Sequence, residues 1–142
     1  MPLDRKIIVI GALLLTVIIF ALFFKLSYAP DNNGEDEMKA DFKSIPMEKA
    51  REIFAEKGDY IILDVRRADE YAEGHIPGAI NVANEDISDY MPDELPDLDA
   101  TIYVYCRSGR RSKEASRKLA DIGYTDINEF GGIIDWTGEI ER

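Results

Sequence analysis

Cysteine and histidine are almost absent from this chain: its 142 residues include one of each, Cys106 and His75. A single cysteine excludes an intramolecular disulfide. With one histidine and no cysteine cluster, no residues have metal-ligand spacing, so neither a metal site nor another cofactor is expected. Positive charge is also scarce, with 17 Lys and Arg against 28 Asp and Glu and a net charge of −11. A phosphate backbone needs a basic face, so this balance argues against nucleic acid as a partner. Internal repeats and low-complexity tracts are missing too. Beyond the first forty or so residues the chain is long enough for one modest core.

One long apolar run is present. Ile7 to Phe24 is 18 residues without a charge and with Thr16 as its one polar side chain. As a helix it spans roughly 27 Å, close to the hydrocarbon core of a bilayer at about 30 Å. Ser27-Tyr28-Ala29 offers the small-x-small pattern of a cleaved signal, but Pro30 directly after it makes a poor scissile position. Residues 1–29 therefore read as an uncleaved single-pass anchor, with one transmembrane helix. Arg5 and Lys6 precede the run, whereas Lys25 and the acidic stretch Asp31 to Glu37 follow it. The positive-inside tendency then keeps the N-terminus cytoplasmic and puts the domain on the extracytoplasmic side. Residues 30–42 read as an acidic flexible tether, and residues 43–142 as the folded domain.

Within that domain, apolar spacing predicts a helix over Met47 to Lys57, preceded by Pro46 and stopped by Gly58. The short apolar run Tyr60 to Leu63 predicts a strand ending at Asp64, of the kind buried on both faces of a parallel sheet. A helix over Ala68 to Glu73, a turn at Gly74 and Pro77-Gly78, and a strand over Ala79 to Val82 follow. Glu85 to Asp99 is acidic, carries Pro92 and Pro96, and reads as loop with one helical turn at most. Thr101 to Tyr105 is a strand, Ser112 to Ile122 a helix, and Gly123 stands where a helix-terminating glycine belongs. Ile127 to Phe130 is a last strand, and Gly131 to Trp136 a closing turn and helix. Strands alternating with helices at this spacing predict an α/β domain with a central parallel sheet flanked by helices.

Cys106 sits between the Thr101 to Tyr105 strand and the loop Arg107-Ser108-Gly109-Arg110-Arg111-Ser112. A sulfur there faces free backbone N–H groups and the start of a helix, a setting of positive potential that favours the thiolate. Arg107, Arg110, Arg111, Lys113, Arg117 and Lys118 fall within twelve positions, a basic island in an acidic domain and the natural place for a small anion. Which arginine points inward is not decided by spacing; Arg111 and Arg107 are the first candidates, with a solvated helix face as the alternative for each. Asp64 and Arg66 stand at the C-terminal end of a strand, the edge where α/β sheets gather their sites. An ion pair of structural importance is the reading for them. His75 reads as a turn residue and Trp136 as core.

Taken together, Leu63-Asp64-Val65-Arg66, Glu70-Tyr71, Gly74-His75-Ile76-Pro77-Gly78-Ala79-Ile80-Asn81, the run Cys106 to Ser112, and Gly131-Gly132-Ile133 with Trp136 resemble the rhodanese domain, the single-domain sulfurtransferase family. The resemblance covers nearly all of residues 43–142 with the pieces in the family's order. It implies a parallel α/β domain with Cys106 to Arg111 as the active-site loop, and Asp64 and Arg66 as framework residues near it. It also implies a sulfur donor that is a small anion such as thiosulfate, and a thiol, cyanide or protein as acceptor. In that chemistry the Cys106 thiolate attacks the outer sulfur of the donor, sulfite departs, and a persulfide remains for a second nucleophile to take. Loop N–H groups would hold the terminal sulfur and the arginines the sulfonate.

Two other readings belong beside this one. A phosphatase or arsenate reductase would use the same cysteine, but its loop places Arg six residues after Cys, where this chain has Ser112 and carries Arg111 one place earlier. The shorter loop favours attack on sulfur. A membrane-tethered binding module or redox-responsive thiol is the second alternative; an inactive relative would be expected to lack the cysteine that this chain keeps.

Overall fold

The computed structural model describes residues 42–142. Nine elements follow in order: β1 (Lys43–Ser44), α1 (Met47–Phe54), β2 (Ile61–Asp64), α2 (Ala68–Glu73), β3 (Ile80–Asn81), β4 (Thr101–Cys106), α3 (Arg110–Ile122), β5 (Asp126–Gly132) and a 3-10 turn (Ile133–Asp135). The five strands form one sheet in the order β1-β5-β4-β2-β3, and every pairing is parallel. Among these residues no helix is long and apolar enough to cross a membrane. The anchor expected at Ile7 to Phe24 and most of the tether lie outside the described residues.

Strand β4 is central, and its period-two alternation decides where the cysteine points. Ile102, Val104 and Cys106 turn to one face, packing with Leu63, Ala115, Leu119 and Ile127. Tyr103 and Tyr105 turn to the other, where Ala50, Ile62 and Phe130 are buried. There Phe54 lies 5.3 to 5.9 Å, between ring centroids, from Tyr60, Tyr103, Phe130 and Trp136. Each face of the sheet is thus covered, as the continuous apolar character of β2 and β4 requires.

Several boundaries differ from the sequence reading. Helix α1 stops at Phe54 instead of Lys57: the Tyr60 hydroxyl donates to the Glu56 carbonyl at 2.9 Å, satisfying an acceptor that a further helical turn would otherwise claim. Residues 85–99 hold turns and no helix. They are nonetheless pinned, because Ile87 and Leu95 are buried and the Tyr124 hydroxyl donates to the Leu95 carbonyl. The two-residue β1, absent from the sequence reading, pairs Lys43 with Asn128 and Ser44 with Glu129. β5 runs from Asp126 to Gly132, longer at both ends than Ile127 to Phe130.

Helix α3 begins at Arg110, two residues earlier than the sequence suggests. The cause is Gly109, whose φ of +98° is open to glycine and reverses the chain in one step. The loop is therefore only Cys106 to Gly109, and Arg110 and Arg111 belong to the helix's first turn.

Strands β4 and β5 keep register from Thr101 opposite Asp126 to Val104 opposite Glu129, and then slip, so that Cys106 stands opposite Gly132. This irregularity bends β5 toward the cysteine loop. A Cβ on Gly132 would stand 2.2 Å from the Arg107 carbonyl oxygen, so the loop crosses β5 where no side chain fits. Gly132→Ala is expected to lower stability by about 1–3 kcal/mol, read as a shifted denaturation midpoint, and to displace the Cys106 loop. An unchanged midpoint would show that the crossing tolerates a methyl group.

Candidate functional site

Cys106 ends β4 with 1% of its surface exposed. The turn that follows folds back over the sulfur, and the Gly109 N–H donates to Sγ at 3.1 Å. Ser112, in the first turn of α3, places its hydroxyl 3.6 Å from Sγ. Burial by itself pushes the thiol up. Hydrogen bonds from the Ser112 hydroxyl and from the backbone N–H groups of Ser112, Gly109 and Ser108 outweigh that and hold it below its ordinary value. The α3 N-terminus, with free N–H groups and the positive end of the helix dipole, stands beside the sulfur. The arrangement favours the thiolate form through protein N–H and hydroxyl donors, and a thiolate there can act as a nucleophile on an electrophilic sulfur or another soft centre.

The loop residues divide into three sets. Arg107 and Ser108 are exposed at the mouth, and the Arg107 carbonyl accepts the Ile134 N–H at 3.2 Å. Arg110 is exposed and 3.8 Å from Glu114. Arg111 is turned inward against α2, where its two terminal nitrogens reach Glu70 at 2.7 and 2.9 Å in a bidentate pair. That guanidinium, followed by the Arg67 backbone N–H, holds the Glu70 carboxyl far below the ordinary range, at about 2. Arg111 is within electrostatic reach of Cys106 while so held. Gly109 and Ser112 are buried beneath the loop.

Asp64 and Arg66 form a buried ion pair: Arg66 Nη2 is 2.6 Å from Asp64 Oδ2, and Nε lies 3.0 Å from both carboxylate oxygens. Arg66 also donates to the Gly74 carbonyl at 2.7 Å, and the Asn81 amide donates to the Asp64 and Arg66 carbonyls. The pair joins the end of β2 to the end of α2 and to β3; these contacts are framework. His75 stacks on Tyr71 at 3.8 Å and shares a backbone bridge with Glu141, while Trp136 packs on Phe54 and Phe130. Among the described residues no group of His, Cys, Asp and Glu is placed to hold a metal ion.

Two residues at the site were not singled out from the sequence as site residues. Glu70 appeared there only as part of a motif, and its signal is its place three residues after Arg67, where it accepts that residue's N–H at the start of α2. Glu129 is 2% exposed, and its Oε1 accepts the Ser112 hydroxyl at 2.7 Å and the Gly131 N–H at 2.9 Å. Its sequence signal was a carboxylate inside an otherwise core-forming strand.

The chain is similar to known proteins. The family model described as a rhodanese-like domain matches residues 47–139. Thiosulfate sulfurtransferase PspE of Escherichia coli (strain K12) is 36% identical over 73 residues, which are 51% of this chain and 70% of that protein. Thiosulfate sulfurtransferase GlpE of Pseudomonas fluorescens (strain SBW25) is 37% identical over 93 residues, 66% of this chain and 82% of that protein. Among solved structures, a rhodanese with anions from E. coli superposes with a TM-score of 0.53 at 31% identity, covering 58% of this chain and 98% of that one. The chain described by residues 42–142, with its parallel sheet and its cysteine at the mouth of helix α3, belongs to the rhodanese-like domain family.

Proposed function

We propose that this protein is a sulfurtransferase that carries sulfur as a persulfide on Cys106. The observation that carries the reading is the buried Cys106 sulfur, held below the ordinary thiol range by N–H and hydroxyl donors at the start of α3. Relatives named as thiosulfate sulfurtransferases support it. The Cys106 thiolate attacks the outer sulfur of thiosulfate or of a persulfide donor. In thiosulfate the S–S bond breaks and its electron pair leaves with sulfite. The new persulfide anion sits where the Gly109 N–H now meets Sγ, among donors already oriented for negative charge. A thiol, cyanide or a protein nucleophile then takes the terminal sulfur, and the electron pair of that bond returns to Cys106.

Charge at the mouth decides which groups meet an anionic donor. Both terminal nitrogens of Arg111 are engaged by Glu70, so it acts on Cys106 as a held charge within electrostatic reach and not as a free hand for the donor. Arg107 and Arg110 are the exposed cations that can close on a sulfonate. The early start of α3 leaves three residues between Cys106 and the helix, and so tight a cradle supports attack on a divalent sulfur over a tetrahedral phosphate. Residues 1–29 act as the anchor, with the domain on the extracytoplasmic side and Ile7 to Phe24 in the bilayer; the apolar length and flanking charges support this.

The full chain is expected to produce thiocyanate from thiosulfate and cyanide, and to gain the mass of one sulfur on exposure to thiosulfate alone. Cys106→Ser should lose both; sulfur loading that survives in the variant would overturn the assignment. Arg111→Ala removes the cation within electrostatic reach of Cys106, so persulfide formation at neutral pH should slow about tenfold; an unchanged rate would make the pair a fold contact alone. The pair also contributes to stability. Because the Glu70 value falls from 4.5 unfolded to about 2 folded, its contribution is complete above about 4.5 and is lost as pH falls toward about 2. Glu70→Gln should flatten the acid limb of melting temperature against pH in that window. Carbonate extraction of membranes tests the anchor: a chain that washes off intact, or one that begins at Pro30, would overturn it.

A further inference from the structure

Two carboxylates are buried among the described residues, Asp64 and Glu129. Asp64 is matched by Arg66. Glu129 is held by neutral donors: the Ser112 hydroxyl at 2.7 Å and the Gly131 N–H at 2.9 Å on Oε1, and the Ser44 hydroxyl at 3.2 Å on Oε2. A buried carboxylate without a cation is costly to keep charged. It stands one hydroxyl away from the nucleophile, because Ser112 Oγ touches both Glu129 Oε1 and Cys106 Sγ, the latter at 3.6 Å.

The Ser112 hydroxyl has one proton. When Cys106 is a thiol and Glu129 a carboxylate, Sγ–H donates to Ser112 Oγ and Ser112 donates to Oε1. When Cys106 is a thiolate, its full charge draws the Ser112 proton to sulfur in preference to the Gly109 and Gly131 carbonyls at 3.0 and 3.3 Å, and Oε1 then faces the hydroxyl's lone pairs. A carboxylate there would leave two negative groups on one hydroxyl, each raising the free energy of the other. We propose, on the reading that Cys106 is the nucleophile, that Glu129 takes up the Cys106 proton through Ser112. The S–H bond breaks as an O–H bond forms on Ser112; the former Ser112 O–H bond breaks as one forms on Glu129 Oε1. Thiol with carboxylate becomes thiolate with carboxylic acid, and the buried site keeps one negative charge throughout.

The geometry accommodates both arrangements. Gly131 N–H donates to Oε1 and Gly109 N–H to Sγ in each, while the Ser112 and Ser44 hydroxyls rotate. Of the charged groups on the elements around this line, Arg111 of α3 pairs with Glu70 of α2, Arg110 with Glu114, Arg66 with Asp64 at the end of β2, and Lys43 of β1 with Asp126 of β5, while Lys113 of α3 is exposed to solvent. Arg107, exposed at the mouth, is the one loop arginine outside these pairs. Glu129 acts through Ser112, as a positioning residue for the proton, and does not meet the sulfur donor.

The test follows two signals on the full chain across one pH titration: the ultraviolet absorbance of the thiolate and the infrared carbonyl band of a protonated carboxylic acid. Wild type should gain thiolate in two steps separated by a plateau, since two groups share the protons. The acid band should persist through the first step and be lost in the second, whereas with Cys106 alkylated it should be lost in the first. Glu129→Gln should show a single thiolate step and no such band. Thiolate appearing in wild type without the acid band overturns the relay, and this comparison needs no variant to fold. Intact mass after thiosulfate exposure separates the two claims. Sulfur loading without the band leaves the sulfurtransferase standing and removes the relay; the band without loading keeps the relay and removes the donor.

Discussion

The Ser112 hydroxyl is the point on which Cys106, its loop and the sheet depend together. It lies within hydrogen-bonding reach of Cys106 Sγ, the Gly109 carbonyl, Glu129 and the Gly131 carbonyl. Those four groups belong to the end of β4, the cysteine turn, and β5. One side chain in the first turn of α3 therefore fixes how the helix N-terminus sits against the strand that delivers the sulfur. It can do so because β5 slips register against β4 just before Gly132, bringing the β5 backbone under the loop. Without that slip the Arg107 backbone would not lie over Gly132.

The domain is acidic, yet its charged groups are not scattered. The two buried or half-buried arginines of the motifs are each committed to a carboxylate, Arg66 to Asp64 two residues before it and Arg111 to Glu70 on α2. Both pairs fasten the ends of β2 and α2 around the loop. The potential at Cys106 consequently owes more to backbone N–H groups than to free cations. Backbone donors suit this task, since they are held by the fold and lose no side-chain freedom when charge develops.

Much of this was legible in advance. The strand at Thr101 followed by a small, basic turn marked Cys106; the spacing of Ala115, Leu119 and Ile122 marked α3; and residues 68–73 form a helix with the boundaries the sequence suggests. These features are local. Period two, period 3.6, and glycine and proline at element ends each act over a few residues. The errors were at element ends, where a single contact or backbone angle decides the boundary. Tyr60 ends α1 by reaching the Glu56 carbonyl, Gly109 starts α3 early through its own backbone, and a two-residue β1 exists because β5, distant in sequence, offers it an edge.

The site divides along the same line. By itself the sequence determined the cysteine at the strand–turn–helix, the parallel α/β class and the basic island, because all three follow from residue type and neighbouring positions along the chain. Only the tertiary structure decided what each arginine of the cysteine loop does and that Glu70 and Glu129 matter. Arg111 meets Glu70 across 41 positions, and Ser112 meets Glu129 across 17. A charge in a sequence carries no record of its partner; the partner is set by which strand ends the parallel sheet gathers at one edge.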